Sequence, residues 1–336
     1  MPKVKVVILN WNGREHLRTF LPSVLRDTPA EVGIVVADNG STDGSVAMLG
    51  AEFPRVEVLG LDGNYGYAGG YNRALARIDA DYCILLNSDV ETAPGWCEPL
   101  VQALEADTTL ATVQPKIRSY RQRDYFEYAG ACGGFLDALG YPFCRGRILF
   151  TTERDTGQYD TFRFCFWASG ACMACRRDAF LAVGGFDEDF FAHMEEIDWC
   201  WRAQLYGYRI AVEPASIVYH LGGGTLANDA PRKLYLNYRN NLRMLYKNLP
   251  VGHLWTALPL RMAMDGLSAL VYLFQGRIAA FGQVWRAHMD FYRHLKTLRI
   301  ARRNVQAGAI AVPYGMYRKS IVLRYYMGHR EFGDMM

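Results

Sequence analysis

The sequence lacks an uninterrupted apolar run of about 18 residues, the length a membrane-spanning helix needs. Its closest candidate, residues 254–274, is broken by Arg261 and Asp265, which favours a helix lying in an interface over one crossing it. At the N-terminus no charged segment is followed by a short apolar one, so no secretory leader is expected. Cysteine is sparse: eight residues are spread over 336 without a dense framework, and reduced thiols in a cytosolic protein are the simple expectation. Cys172 and Cys175 form a C-x-x-C, but they sit in the apolar run FWASGACMAC with no second Cys or His pair nearby. Zinc or redox chemistry is therefore not expected of them. A net charge of +3 is too small to imply a nucleic-acid partner. Tandem repeats and low-complexity segments are also missing.

What is present is enough apolar material, 51% of the chain, for a large core. Residues 4–9 (VKVVIL) form a continuous, β-branched run, as expected of a strand covered on both faces. Residues 14–25 carry helical spacing. Residues 32–37 (VGIVVA) are a second buried strand, and a helix is expected to start near 41–45, where Ser, Thr and Asp can cap it. Further strands at 56–61 and 82–86 flank a helix at 70–78. Such alternation predicts an α/β fold, Rossmann-like, with a mostly parallel sheet and helices on both faces. Ligands bind such sheets beyond the carboxyl ends of the strands. There lie Asn10, Trp11 and Asn12, then Asp38 and Asn39, then Asn87, Ser88 and Asp89.

The middle, 119–161, has weak periodicity and reads as a loop-rich insertion shaping a cleft. Residues 162–175 are strand-like, 197–206 helix-like, and 209–212 and 217–220 read as short strands before Gly222, Gly223 and Gly224. From about Arg232 the pattern is helical. Two regions are expected: a catalytic domain over 1–228 and a helical C-terminal region over 229–336.

Several segments can carry chemistry. In DNGSTDGS (38–45), a carboxylate at a strand end can accept a hydrogen bond from the imide N–H of uracil or thymine; an Asx turn capped by Ser41 or Asp43 is the alternative. In NYGYAGGYN (64–72), glycine permits close approach of the backbone to a phosphate, with a helix start adding positive dipole; a glycine-rich turn between the third strand and its helix is the alternative. Neither a dinucleotide fingerprint nor a P-loop is present. Asp89, after the apolar strand YCILL, is suited to a divalent cation that bridges a diphosphate; a helix cap or a turn Asp is the alternative. In HMEEIDWCWR (193–202), Asp198 and Arg202 can pair at i,i+4, leaving Glu196 free; clustered acids beside aromatics can raise one pKa toward that of a general base. His220 ends the run SIVYH and can serve as a further metal ligand.

In this order the motifs VVILNWNG, VVADNGSTDGS, NYGYAGGYN, ILLNSDV, RRDAFLAVGGFDEDFF, EEIDWCWRAQLYGYRI and IVYHLGGGT resemble the family 2 glycosyltransferases of GT-A fold, closest to bacterial rhamnosyltransferase-like members. The resemblance covers roughly residues 3–224. It implies an inverting transfer of a sugar from a nucleoside diphosphate donor, a UDP- or dTDP-sugar such as dTDP-rhamnose, to an acceptor hydroxyl. The acceptor would be a glycan or lipid-linked oligosaccharide in cell-surface polysaccharide synthesis. By the same resemblance, Asp38 matches the pyrimidine-holding position, and Asp89 the last acid of the DxD motif that binds Mn²⁺ or Mg²⁺. Asn87 stands where that motif has its first acid, and His220 matches a further metal ligand. Glu196 matches the general base, where Asp is commoner; Glu195 is the alternative base or an acceptor-orienting group. Asn10, Asn12, Asn39, Asn64, Gly66, Asn72, Asn87 and Ser88 are the candidate donor-binding residues beside them. Asp187 and Asp189 are expected to be structural.

The tail mixes aromatic, aliphatic and basic residues; between Arg286 and Arg303 six Arg/Lys face one acid, Asp290. Such helices suit the inner face of an anionic plasma membrane, with a homodimer interface or packing on the catalytic domain as other uses. Two other functions fit less well. A nucleotidyltransferase should carry a glycine-rich basic loop after the first strand, where this chain has NWNGREHL. A catalytically silent scaffold of the same fold is favoured by Asn87 alone.

Overall fold

The computed structural model describes residues 2–222 and 231–335. The chain begins β1 (Val4–Asn10), α1 (Arg14–Asp27), β2 (Gly33–Asp38), α2 (Ser45–Glu52), β3 (Glu57–Gly60), α3 (Gly66–Arg77), β4 (Tyr82–Asn87), β5 (Val90–Thr92) and α4 (Glu98–Ala106). After β6 (Leu110–Ser119) come four short strands, β7 (Gly134–Asp137), β8 (Pro142–Cys144), β9 (Arg147–Ile148) and β10 (Thr151–Thr152). Then follow β11 (Arg163–Cys165), β12 (Cys172–Arg176), α5 (Arg177–Ala182), α6 (Glu195–Leu205) and β13 (Arg209–His220). The C-terminal part holds α7 (Pro231–Asn248), α8 (Val251–Phe274), α9 (Ile278–Arg293), α10 (Leu295–Ala307), β14 (Met316–Tyr317) and α11 (Ile321–Tyr326).

The main sheet has the order β11-β13-β6-β12-β4-β1-β2-β3, with β5 paired to β13. Strands β3, β2, β1 and β4 are parallel neighbours, as their spacing by helices requires. Beyond β4 the sheet is mixed, because β12 runs antiparallel to both β4 and β6. Strand alternation separates two cores. Val6, Ile8, Val36 and Leu86 meet Leu17 and Leu21 of α1 and Leu100 of α4 on one face. Val7, Val35 and Leu85 meet Tyr71 and Leu75 of α3 and Phe180 of α5 on the other. Helices on both faces are borne out.

Three elements differ from the sequence reading. The insertion 119–161 is not merely looped: β7–β10 build a second sheet, which β14 extends in parallel from the far end of the chain. Its strands are two to four residues long, too short to show a period. The strand-like run 162–175 is two strands, split where Trp167 turns inward and donates to the Phe135 carbonyl at 2.9 Å. Gly134 makes room for that indole, since a Cβ there would lie 2.1 Å from the ring. The two short strands expected at 209–212 and 217–220 are one strand with an irregular register between Glu213 and Ile217. The expected boundary at 228/229, with Gly223 and Gly224, lies outside the described residues.

Candidate active site

Strand register brings the polar ends together. Asn10 pairs with Asp38 across β1 and β2, and Leu9 with Asn87 across β1 and β4, so the residues that follow β1, β2 and β4 share one edge. The Asn10 amide donates to Asp38 Oδ1 at 2.9 Å and reaches the Ser41 and Ser45 hydroxyls at 3.1 and 3.0 Å. Asp38 Oδ2 accepts the Ser41 amide at 3.0 Å. Asn12, in the left-handed region at φ 51°, accepts the Thr42 amide at 2.8 Å and donates its own to Ser41 Oγ at 2.9 Å. Asp43 accepts from Arg14 N and Ser45 N, which is the capping alternative for that acid. Each Asp38 oxygen is thus engaged once and keeps a second lone pair. Ser88 lies beside Gly13 at the same edge.

Asn39 fastens the next loop. Its amide reaches Asn64 Oδ1 at 3.2 Å and the Gly66 carbonyl at 3.0 Å, and its carbonyl oxygen accepts the Tyr65 N–H at 3.1 Å. Gly66 does permit close approach of a backbone, but to the protein itself. With φ +68° it admits the Phe191 carbonyl, 2.5 Å from where a Cβ would stand. That carbonyl accepts Tyr67 N at 2.8 Å and Ala68 N at 3.3 Å, so the first amides of α3 that a phosphate would need are already occupied. Asn72 lies apart from the other candidates. Its side chain holds Phe186 by both N–H and C=O, each at 2.8 Å, and so pins the loop before α6.

Asp89 and His220 meet because β5 pairs antiparallel with the end of β13, Val90 opposite His220. His220 Nε2 lies 3.2 Å from Asp89 Oδ1, and Nδ1 lies 3.3 Å from Glu127 Oε2. All three side chains are buried. Burial alone would lower the His220 pKa, but the Glu127 and Asp89 carboxylates overcome it and raise it to about 10. Burial likewise works against the Asp89 charge, yet His220 keeps its pKa below the usual range. Glu127 was not visible as a candidate. It sits in the irregular insertion, with no motif around it.

The acids at the start of α6 are set by an unusual turn: Phe191, His193 and Met194 all have positive φ, at 64°, 70° and 71°. Non-glycine residues in that region cost free energy and persist where their surroundings hold them. Asn240 of α7 holds them here, donating toward the carbonyls of Phe190, Ala192 and His193 at 3.1, 2.9 and 2.7 Å. Beyond the turn, Glu195 Oε2 and Glu196 Oε2 are buried and have no hydrogen-bond partner among the described residues. Burial, reinforced by the adjacent Glu196 charge, pushes the Glu195 pKa well up. Burial raises that of Glu196 to about 7, against the pull of the helix-start amides. The Tyr67 phenol beside them is raised too, by burial first and then by nearby charges that include both glutamates.

Asp198 has the structural role its spacing suggests. It is fully buried and accepts from Arg202, Lys247 and Asn248 at 2.8, 2.9 and 2.8 Å. Asp187 caps a short turn and pairs with Lys247, again a structural role. Cys172 and Cys175 are buried free thiols.

The chain is similar to known proteins. The sequence model of glycosyl transferase family 2 matches residues 5–184. N-acetylglucosaminyl-diphospho-decaprenol L-rhamnosyltransferase of Mycobacterium tuberculosis is 31% identical over 284 residues, 79% of this chain and 90% of that protein. Among solved structures, GalNAc-T7 with UDP, GalNAc and Mn²⁺ superposes with a TM-score of 0.58 at 18% identity. That match covers 74% of this chain and about half (48%) of the other. S. aureus TarS 1–349 with UDP-GlcNAc gives 0.57 at 15% identity, over 91% and 89% of the two chains. The GT-A fold implied by the motifs is borne out.

Proposed function

The chain belongs to glycosyl transferase family 2, and from that premise we propose that it moves a sugar, with inversion, from a UDP- or dTDP-sugar to a lipid-linked acceptor hydroxyl. It is a glycosyltransferase of polysaccharide or glycan biosynthesis. The observation that carries the finer reading is the pair of unpartnered buried oxygens on Glu195 and Glu196. A buried carboxylate oxygen without a donor is costly unless a ligand hydroxyl completes it. Glu196, raised to about 7, is poised to take the acceptor proton near neutral pH. Glu195 is the more buried, and burial together with the Glu196 charge pushes its pKa well up, which suits it to orient the acceptor.

On the donor side, Asp38 offers its free lone pairs to the imide N–H of a pyrimidine, with Asn10, Asn12 and Ser88 around it. Asn39, Asn64 and Gly66 act one step back, holding the loop that shapes this edge. A divalent cation fits Asp89 and His220. Their facing atoms lie 3.2 Å apart, and the ion would take the place of the proton that the neighbouring carboxylates favour on His220. Among the described residues no third His, Cys, Asp or Glu completes a metal-holding group with them, since Glu127 lies on the Nδ1 side of the imidazole, so diphosphate oxygens and water would complete the shell. When bound, the ion neutralises charge on the departing diphosphate. The relative's name specifies a diphospho-decaprenol acceptor, which supports a lipid-linked acceptor here.

The C-terminal helices support work at a membrane. Helix α8 is long and apolar enough to cross one by length and composition. Its charged pair faces the protein: Arg261 and Asp265 are buried, paired at 2.7 Å. Trp255, Leu260, Leu267 and Phe274 are exposed instead. We therefore assign α8 to the inner surface of an anionic plasma membrane, lying on it rather than spanning it.

The test is calorimetric binding of UDP, dTDP, GDP and CDP, each with Mn²⁺, Mg²⁺ or EDTA. Pyrimidine-selective, metal-enhanced binding is expected. Binding of none of the four would return the chain to the silent-scaffold reading.

A further inference from the structure

Between α7 and α9 lies a cavity of about 570 Å³, walled by Phe191, Tyr235, Arg232, Arg239 and Arg286. Each guanidinium stacks on an aromatic ring: Arg232 on Phe191 at 4.9 Å, and Arg239 and Arg286 on Tyr235 at 5.3 and 5.0 Å. Among the described residues none of the three forms an ion pair with a carboxylate. Two described acids of this region, Asp189 and Asp290, are turned to Arg243, at 3.8 and 2.8 Å. Three fixed cations around one concavity, with their own counter-charges engaged elsewhere, call for an anion with several oxygens.

The position of the cavity narrows the choice. On one side its wall is Phe191, the start of the positive-φ turn that delivers Glu195 and Glu196. Arg239 itself donates to the Asp189 and Phe190 carbonyls of that turn, at 2.8 and 3.0 Å. On the other side, α9, which packs against α8, carries exposed Ile278 and Trp285, the latter adjacent in sequence to Arg286, and α8 carries exposed Trp255, Leu267 and Phe274. An anion held here sits between the proton-accepting acids and an apolar surface. We propose that Arg232, Arg239 and Arg286 bind the diphosphate of the acceptor, with its lipid chain leaving over Trp285 and its sugar reaching toward Glu196. This deepens the proposed function and rests on a lipid-linked acceptor.

The experiment uses the full chain in EDTA, which silences the metal-dependent donor site, and titrates farnesyl diphosphate and inorganic pyrophosphate separately. The variant is Arg232→Gln/Arg286→Gln, both exposed positions; Arg239 is left alone because it also holds the turn. Wild type should bind farnesyl diphosphate more tightly than pyrophosphate. The double variant should lose roughly tenfold or more per guanidinium removed. Binding of dTDP or UDP with Mn²⁺ should be unchanged, which certifies the fold. If the variant binds farnesyl diphosphate like wild type while the nucleotide still binds, the arginine site is wrong and the donor reading stands. Equal, arginine-dependent binding of pyrophosphate would overturn the lipid assignment in favour of free phosphate. Arginine-dependent farnesyl diphosphate binding without any nucleotide binding would sustain this site and sink the donor reading.

Discussion

Lys247 of α7 donates to Asp198 of α6 at 2.9 Å, both side chains buried, three residues past Glu195. The C-terminal region is thus part of the framework of the candidate active site. Lys247→Met should leave Asp198 and Asp187 short of a cation and cost about 3 kcal/mol, the scale for breaking a buried pair from one side. Thermal melts followed by circular dichroism would register it as a clear drop in Tm. An unchanged Tm would mean that Arg202 and Asn248 suffice. Deleting everything after Pro231 should for the same reason destabilise the enzyme, so it is a poor test of membrane attachment.

Glu196→Gln should abolish transfer while leaving nucleotide binding near wild type. In the parent enzyme, activity should rise with pH through about 7 as Glu196 loses its proton. Stability runs the other way. The folded pKa of Glu196 lies above its ordinary value of 4.5, so the folded state binds the extra proton. The associated stability is present below about 4.5 and lost as pH rises through about 7. Glutamine removes the charge, so the variant should gain on wild type between pH 5 and pH 8, by on the order of 1–3 kcal/mol. Equal Tm differences at both pH values would mean that Glu196 is not held against ionisation.

The parallel half of the sheet was legible because strand, helix and polar strand end recur with unambiguous periods. The same logic made Asp38 and Asp89 candidates at strand ends, while Glu196 was a candidate from its acidic cluster and the family resemblance. It failed where identity alone was visible and partner was not. Gly66 reads as a phosphate cradle until Phe191, 125 positions on, supplies the carbonyl that fills it. Asn72 reads as a donor contact until Phe186 takes both ends of its amide. Glu127 has no local signal, since only the long strand β13 brings His220 to it. The second sheet was hidden because strands this short acquire their stability from pairing, not from pattern.

Asp89→Asn should remove the metal enhancement of nucleotide binding and most of the activity. Metal-independent binding through Asp38 should persist. His220→Ala should weaken Mn²⁺ affinity more than nucleotide affinity in EDTA. The measurement is calorimetry of dTDP or UDP with and without Mn²⁺. If Asp89→Asn keeps the full metal enhancement, the ion is held elsewhere.

At 100° per residue, α8 divides into two opposed faces. Leu254, Ala257, Arg261, Asp265 and Ala269 turn inward, while Trp255, Leu267, Leu270 and Phe274 turn outward. A helix that buries its ion pair and exposes its largest apolar side chains has its polarity reversed relative to a water-facing surface helix. Exposed basic residues lie in the same C-terminal region, Arg277 just after α8 and Lys296 and Arg299 on α10. Co-sedimentation with phosphatidylglycerol-containing vesicles should therefore be strong and fall with salt, and pure phosphatidylcholine should bind less. Replacing Trp255, Leu267 and Phe274 by Ser removes about 1.5–3 kcal/mol of burial at each full insertion, enough to release the protein from vesicles. Because these side chains touch little of the protein, the variant should melt like wild type. Were it to stay on the vesicles, α8 would not be the contact. Were wild type dimeric without lipid and the variant monomeric, a second copy of the chain would be what covers this face.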